Sequence, residues 1–200
     1  NVPRDLWTQV IDIELPQIVN FERPSGGSDA IARATDMLSE ASFPVILSGA
    51  GVVIGNAIDE CRALAEKLDA PVCNGYQHND SFPGSHPLAC GPLGYNGSKA
   101  AMELIAQADV VLALGTRLNP FSTLPGYGID YWPQNAKIIQ VDINPDRIGL
   151  TKRVTVGICG DAAQVASRIL DLMPATAGDT GRDNRKRAIH EANSNWRQTL

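Results

Sequence analysis

The 200-residue sequence has no basic excess: 17 Lys and Arg face 22 Asp and Glu, for a net charge of −5. That balance argues against nucleic-acid binding, which rests on clustered positive charge. Long hydrophobic runs are also missing; none approaches the roughly 18 residues of a membrane span. The start, Asn1-Val2-Pro3-Arg4-Asp5, has no apolar signal core and no initiator Met, so the expectation is a fragment or a processed product. Histidine is scarce (His78, His86, His190), and Cys61, Cys73, Cys90 and Cys159 form no C-x-x-C pair. Zinc needs such ligands clustered at short spacing, so no metal ligand is assigned. The cysteines read as free thiols in a cytoplasmic setting, with Cys61, Cys73 and Cys159 as small buried hydrophobes. No G-x-S-x-G elbow, Walker loop or H-E-x-x-H occurs, and His86, in Gly84-Ser85-His86-Pro87, reads as a turn residue rather than a base.

What is present is a core. The hydrophobic fraction of 44% and charged fraction of 20% exclude a disordered chain. Short apolar runs alternate with amphipathic stretches. Pro44–Ser48, Pro71–Asn74, Asp109–Leu114, Lys137–Asp142 and Val154–Ile158 read as strands, with a very short one near Leu88–Cys90. Between them, Ile31, Ala34, Leu38 and Ala41 recur at helical spacing after a capping Ser28, as do Ile58, Cys61, Leu64, Ala65 and Leu68. Ala101, Leu104, Ile105 and Ala108 mark a further helix, and Val165, Ile169 and Leu172 another that Asp161 opens. Continuous apolar strands between helices predict a doubly wound, about six-stranded parallel Rossmann-like α/β sheet over residues 28–173. Residues 1–27 and 174–200 read as linkers. The charged run Arg182–Arg187 reads as a solvated helix face, leaving Ile189 and Trp196 to seek a partner outside the chain.

In such a sheet, ligands bind outside the carboxyl ends of the strands, where strand order reverses. Three loops there carry suitable residues. Gly49-Ala50-Gly51 follows a strand, where bare backbone and the N–H groups of the next helix can face a phosphate. Its G-x-G-x-x-x-G spacing is one residue longer than the dinucleotide fingerprint, and Asn74-Gly75-Tyr76 replaces the usual acidic residue, so dehydrogenase-type NAD binding is disfavoured. Arg117, after Gly115, is placed to pair with a phosphate, or else to make a surface salt bridge. Asp142 can accept from ribose hydroxyls, or form an Asx turn with Asn144-Pro145. Asp161 begins a D-x-x-Q helix start that capping alone would explain. Together they suggest a nucleotide-shaped crevice.

Gly49-Ala50-Gly51, Gly94-Tyr95-Asn96-Gly97, Ala108–Arg117, Ile139–Pro145 and Gly160-Asp161-Ala162 occur in this order, and in this the chain resembles the central domain of thiamine-diphosphate-dependent enzymes of the acetolactate synthase type. The resemblance covers about residues 28–173. It implies a DHS-like NAD/FAD-binding fold between a preceding pyrimidine-binding domain, whose exit would be residues 1–27, and a following diphosphate-binding domain, toward which 174–200 would lead. Residues 1–16 and 95–150, above all Leu118–Pro133, resemble a branch that converts sulfoacetaldehyde and phosphate to acetyl phosphate and sulfite, in taurine and sulfonate degradation. It further implies thiamine diphosphate and Mg2+ bound outside this chain, no catalytic residue within it, and a homo-oligomer (dimer or tetramer) of the full-length enzyme. Positions matching flavin contacts in relatives are Gly49, Gly51, Gly94, Tyr95, Asn96, Gly115, Arg117, Asp142 and Asp161. Asn96 replaces the His usual in the synthases, and Leu118-Asn119-Pro120 replaces a more acidic run, so FAD, ADP and an empty crevice all stay open. A sirtuin-like deacylase would need paired C-x-x-C ligands, which are absent; an electron-transfer-flavoprotein-like module would hold FAD or AMP, and a yellow colour of the purified protein would favour it.

Overall fold

The computed structural model describes residues 3–10, 12–19 and 21–199. Asn1, Val2, Ile11 and Asn20 of the expected leading linker, and Leu200 of the trailing one, lie outside the described residues.

Six strands carry the fold: β1 (Pro44–Ser48), β2 (Val72–Asn74), β3 (Ala89–Pro92), β4 (Val110–Leu114), β5 (Lys137–Asp142) and β6 (Val156–Cys159). All pair in parallel, in the order β3-β2-β1-β4-β5-β6. The expected doubly wound sheet is therefore present, and its order reverses between β1 and β4. Every residue of those two strands is buried, which is why their sequences, Pro-Val-Ile-Leu-Ser and Val-Val-Leu-Ala-Leu, show no polar alternation. β6 is one of the two edge strands and does alternate, burying Val156 and Ile158 while exposing Gly157 and Cys159. Cys159 is thus not the buried hydrophobe its apolar surroundings suggested, whereas Cys61, Cys73 and Cys90 are buried free thiols.

The helices are α1 (Ser28–Glu40), α2 (Ala50–Ile54), α3 (Ile58–Leu68), α4 (Lys99–Ile105), α5 (Pro120–Thr123), α6 (Ala162–Leu172) and α7 (Arg182–Gln198). α1, α3 and α6 pack together, and α4 packs with α7. Helix α1 is capped by the backbone of Gly27 rather than by Ser28, whose hydroxyl instead accepts from Arg168 at 3.1 Å. Leu172, in the last turn of α6, is exposed rather than inward. Two short helices, α2 and α5, lie where only loop was expected; each is too short to show a 3.6-residue period.

The C-terminal reading needs the largest correction. Ile189 and Ala192 of α7 are buried in the chain's own core, and Trp196 packs against it, with its ring 6.0 Å from that of Tyr127. Arg185, inside the charged run, is fully buried rather than solvated. Its guanidinium donates to the carbonyls of Ser42 (2.6 Å), Leu68 (2.7 Å), Asp69 (3.3 Å), Thr180 and Gly178. An arginine has five N–H donors, and five carbonyls receive them, so a charge that burial penalises is solvated by backbone dipoles. Burial pulls its pKa below the usual arginine value, and Asp69 opposes the shift.

Burial also raises the thiol pKa of Cys73, and pushes Cys61 and Cys90 to about 12. Their neutral form is the one the fold accommodates, so the contribution is full below the unfolded value near 9 and declines as pH rises toward 12. We expect a thiol reagent at pH 8 to modify only Cys159 in the native chain and all four cysteines after unfolding, and urea stability to fall between pH 9 and pH 11. Rapid native labelling of Cys61 or Cys73 would contradict the buried assignment.

Candidate functional site

The chain after β1 and the chain after β4 cross at the switch point with almost no space between them. A Cβ on Gly51 would meet the Gly115 Cα at 2.7 Å and the Gly115 carbonyl oxygen at 3.0 Å. One on Gly49 would meet the Thr116 Cβ at 2.5 Å, and Gly115 itself has φ of +61°. The crossing is bonded as well as tight: Gly51 N–H donates to Gly115 O at 2.8 Å and Gly49 N–H to Leu114 O at 3.1 Å. Val52 N–H donates to Gly49 O. The N–H groups expected to face a ligand from Gly49, Gly51 and Val52 are therefore spent inside the fold. These two glycines serve close approach.

Outside this crossing opens a cavity of about 520 Å³, within the range of small-molecule sites. Of the nine expected residues, Gly51, Gly115, Arg117, Asp142 and Asp161 line it, whereas Gly49 does not and packs against Gly115 and Thr116. Gly94, Tyr95 and Asn96 do not line it. Gly94, at φ +103°, packs on the backbone of Phe121 and Ser122 in α5, and Tyr95 is exposed. Ser122 does line the cavity and accepts from Tyr76 N–H at 2.8 Å, so Gly94 packs on the element that forms this part of the wall, while Tyr95 and Asn96 are exposed.

The two carboxylates differ in what they have left to offer. Asp161 caps α6, accepting from the Ala163 and Gln164 N–H groups, and its other oxygen takes Arg23 Nη1 at 3.1 Å. Capping thus accounts for Asp161. Asp142 uses Oδ1 in an Asx turn with Asn144 N–H at 2.9 Å; the residue lines the cavity, and its Oδ2 has no partner among the described residues. Arg117 and Arg147 line the same cavity, and neither guanidinium has a hydrogen-bond or ion-pair partner among the described residues. Two uncompensated cations beside one available carboxylate favour a ligand with both anionic and hydroxyl groups.

Sequence reasoning missed Arg23, Arg147 and Gln140. Gln140 is a buried polar residue in the middle of β5. Its amide donates to Thr116 O (3.2 Å) and Arg147 O (3.1 Å) and accepts from Gly149 N–H (2.9 Å). It thereby joins the Arg117 loop to the Arg147 turn. A glutamine inside Lys-Ile-Ile-Gln-Val-Asp was the available signal. The loop after β2 is similarly tied, since Asn74 turns away from the cavity and donates to Ser81 Oγ and His78 O.

Among the described residues no helix is long and apolar enough to cross a membrane, and no group of three or more His, Cys, Asp or Glu could hold a metal. No site for a divalent cation is assigned in this chain.

A doubly wound parallel sheet with a mixed-charge cleft at its switch point defines an α/β domain of the dinucleotide-fold type. Residues 31–169 match the model of the thiamine pyrophosphate enzyme central domain, and the chain belongs to that family. Along its whole length it is 74% identical to a "Probable sulfoacetaldehyde acetyltransferase" of Rhizobium meliloti and 70% identical to the sulfoacetaldehyde acetyltransferase of Roseovarius nubinhibens, covering 34% and 33% of those proteins. It thus spans about a third of the length of the curated relatives it matches. The benzoylformate decarboxylase structure from Polynucleobacter necessarius superposes with a TM-score of 0.65 at 21% identity, covering 84% of this chain and 31% of that one, a likeness of fold.

The crossing generates a direct test. We expect Gly51→Ala to destabilise the fold by about 1–3 kcal/mol in urea denaturation, because the atoms it meets are backbone. Gly84→Ala, with nothing within 4 Å, should change stability little. Equal stability of the two variants would show that the crossing tolerates a side chain.

Proposed function

We propose that this chain is the non-catalytic central domain of a longer thiamine-diphosphate-dependent acetyltransferase acting on sulfoacetaldehyde and phosphate. The observation that carries this reading is identity of 70% or more along the entire chain to relatives bearing that name. In that protein residues 1–27 lead from a preceding catalytic domain and residues 174–200 lead toward a following one. Thiamine diphosphate, with Mg2+, supplies the carbanion chemistry when bound to those flanking domains. The assembled enzyme is a cytoplasmic homo-oligomer, a setting that suits free thiols.

The cleft, on this reading, takes an adenine nucleotide. Arg117 and Arg147 meet its phosphates, the free oxygen of Asp142 accepts from the ribose hydroxyls, and Gly51 and Gly115 let the ligand lie close to the crossing backbone. ADP suits the cleft better than FAD. A flavin portion reaching Gly94, Tyr95 and Asn96 would have to pass α5, where Phe121 and Tyr76 stack with ring centroids 5.7 Å apart.

Two measurements test these statements separately. The chain by itself, given thiamine diphosphate, magnesium, phosphate and sulfoacetaldehyde, should form no acetyl phosphate; turnover would contradict the non-catalytic assignment. In calorimetry Arg117→Ala should weaken ADP binding about 10-fold, the loss of a charge-assisted contact, and unchanged affinity would remove Arg117 from the site.

A further inference from the structure

The stretch before α1 changes character at Arg23. Upstream, Val10, Ile13, Leu15, Ile18 and Phe21 are all largely exposed. Downstream, the backbone is stitched to the end of the sheet. Pro24 O accepts from Asp161 N–H at 2.8 Å, Ser25 bridges to Gly160, and Arg168 Nη1 donates to Ser25 O (3.0 Å) and Gly26 O (2.8 Å). Gly26, at φ +78°, sits against Ile158, Ile31 and Val165.

Arg23 stands at the junction, and its side chain lines the switch-point cavity. Nη1 donates to Gly55 O and to Asp161 Oδ2, both at 3.1 Å. The carboxylate that holds it is almost fully buried, whereas the Arg23 side chain is half exposed. A guanidinium has five donors, and the contacts to Gly55 and Asp161 engage only Nη1. Nε and Nη2 are left on a planar fork of the kind that suits phosphate. Arg23 is thus a pre-oriented cation in the cavity wall, delivered by a segment that belongs to neither the sheet nor its helices.

We infer that Arg23 couples occupancy of the cleft to the seating of residues 23–27, making the leading segment responsive to a phosphate-bearing ligand. The inference rests on the nucleotide reading given above. A ligand phosphate that engages Arg23 gains that contact only while the segment is seated, so it binds the seated form more tightly. By linkage, whatever holds the segment in place raises ligand affinity by the same factor. The ion pair with Asp161 sets the resting position, and ligand adds a second anchor without breaking the first, because the free donors lie on other nitrogens.

The test uses the intact polypeptide saturated with thiamine diphosphate, with ADP and adenosine as probes. ADP should slow amide hydrogen exchange at Ser25, Gly26 and Gly27. Arg23→Gln should weaken ADP binding about 10-fold and abolish that slowing, while adenosine, which has no phosphate, binds wild type and variant alike. Arg23→Lys should fall between, keeping charge but losing the fork. ADP affinity unchanged in Arg23→Gln, or adenosine affinity falling as far as ADP affinity, would overturn the coupling and leave Arg23 a purely structural residue. Wild type that binds no ADP would instead overturn the nucleotide reading, and the coupling with it.

Discussion

The structure depends on two backbone segments passing within van der Waals contact where β1 and β4 end. β1 sends its chain one way and β4 the other, so the loops after them diverge and leave a cleft. The divergence begins from a point where Gly51 and Gly115 touch and hydrogen-bond. Remove the contact and the two halves of the sheet would have to separate by a side-chain width. The cleft, the positions of Arg117 and Asp142, and the route of α2 all follow from it. The glycine spacing answers this steric demand, which is why it departs from a dinucleotide fingerprint while occupying the same place in the fold.

Around that point the molecule satisfies its polar groups locally and leaves few to spare. Asp161 is shared between a helix cap and Arg23, Gln140 between the turns that carry Arg117 and Arg147, and Asn74 turns inward to its own loop. The charged groups left unspent around the cleft, the guanidinium groups of Arg117 and Arg147, the remaining donors of Arg23 and one oxygen of Asp142, are therefore informative about what it can hold. Arg185 shows the same economy away from the cleft: five backbone carbonyls receive its guanidinium, with no counter-ion in direct contact among the described residues.

Much of the fold was legible because buried parallel strands leave uninterrupted apolar runs and their covering helices leave 3.6-residue spacing. All six strands and the four longer helices from α1 to α6 fell where those patterns stood. The failures have physical causes. α2 and α5 are too short to show a period. Cys159 followed an apolar run, but an edge strand exposes alternate residues. α7 was misjudged because Arg185 looked like its charged neighbours; the carbonyls around it make it internal, and three of the five, those of Ser42, Leu68 and Asp69, come from more than a hundred positions away. Within the cleft, strand-end logic reached Gly51, Gly115, Arg117 and Asp142. Arg23 and Arg147 escaped because one arrives from outside the sheet and the other from a turn whose path Gln140 sets. Gly94–Asn96 follow β3 at the sheet's carboxyl edge but do not line the cavity, and Gly94 packs on α5, an arrangement no strand-end rule anticipates.

On the proposed function, the switch-point cleft built by this crossing holds an adenine nucleotide and no flavin. The most direct measurement is the small-molecule content of the purified intact polypeptide, released by denaturation and identified by absorbance and mass. The account predicts about one adenine nucleotide per chain, lost together with Arg117 and Arg147, and a colourless protein. A stoichiometric flavin would contradict it, as would a cleft that neither retains nor rebinds any nucleotide.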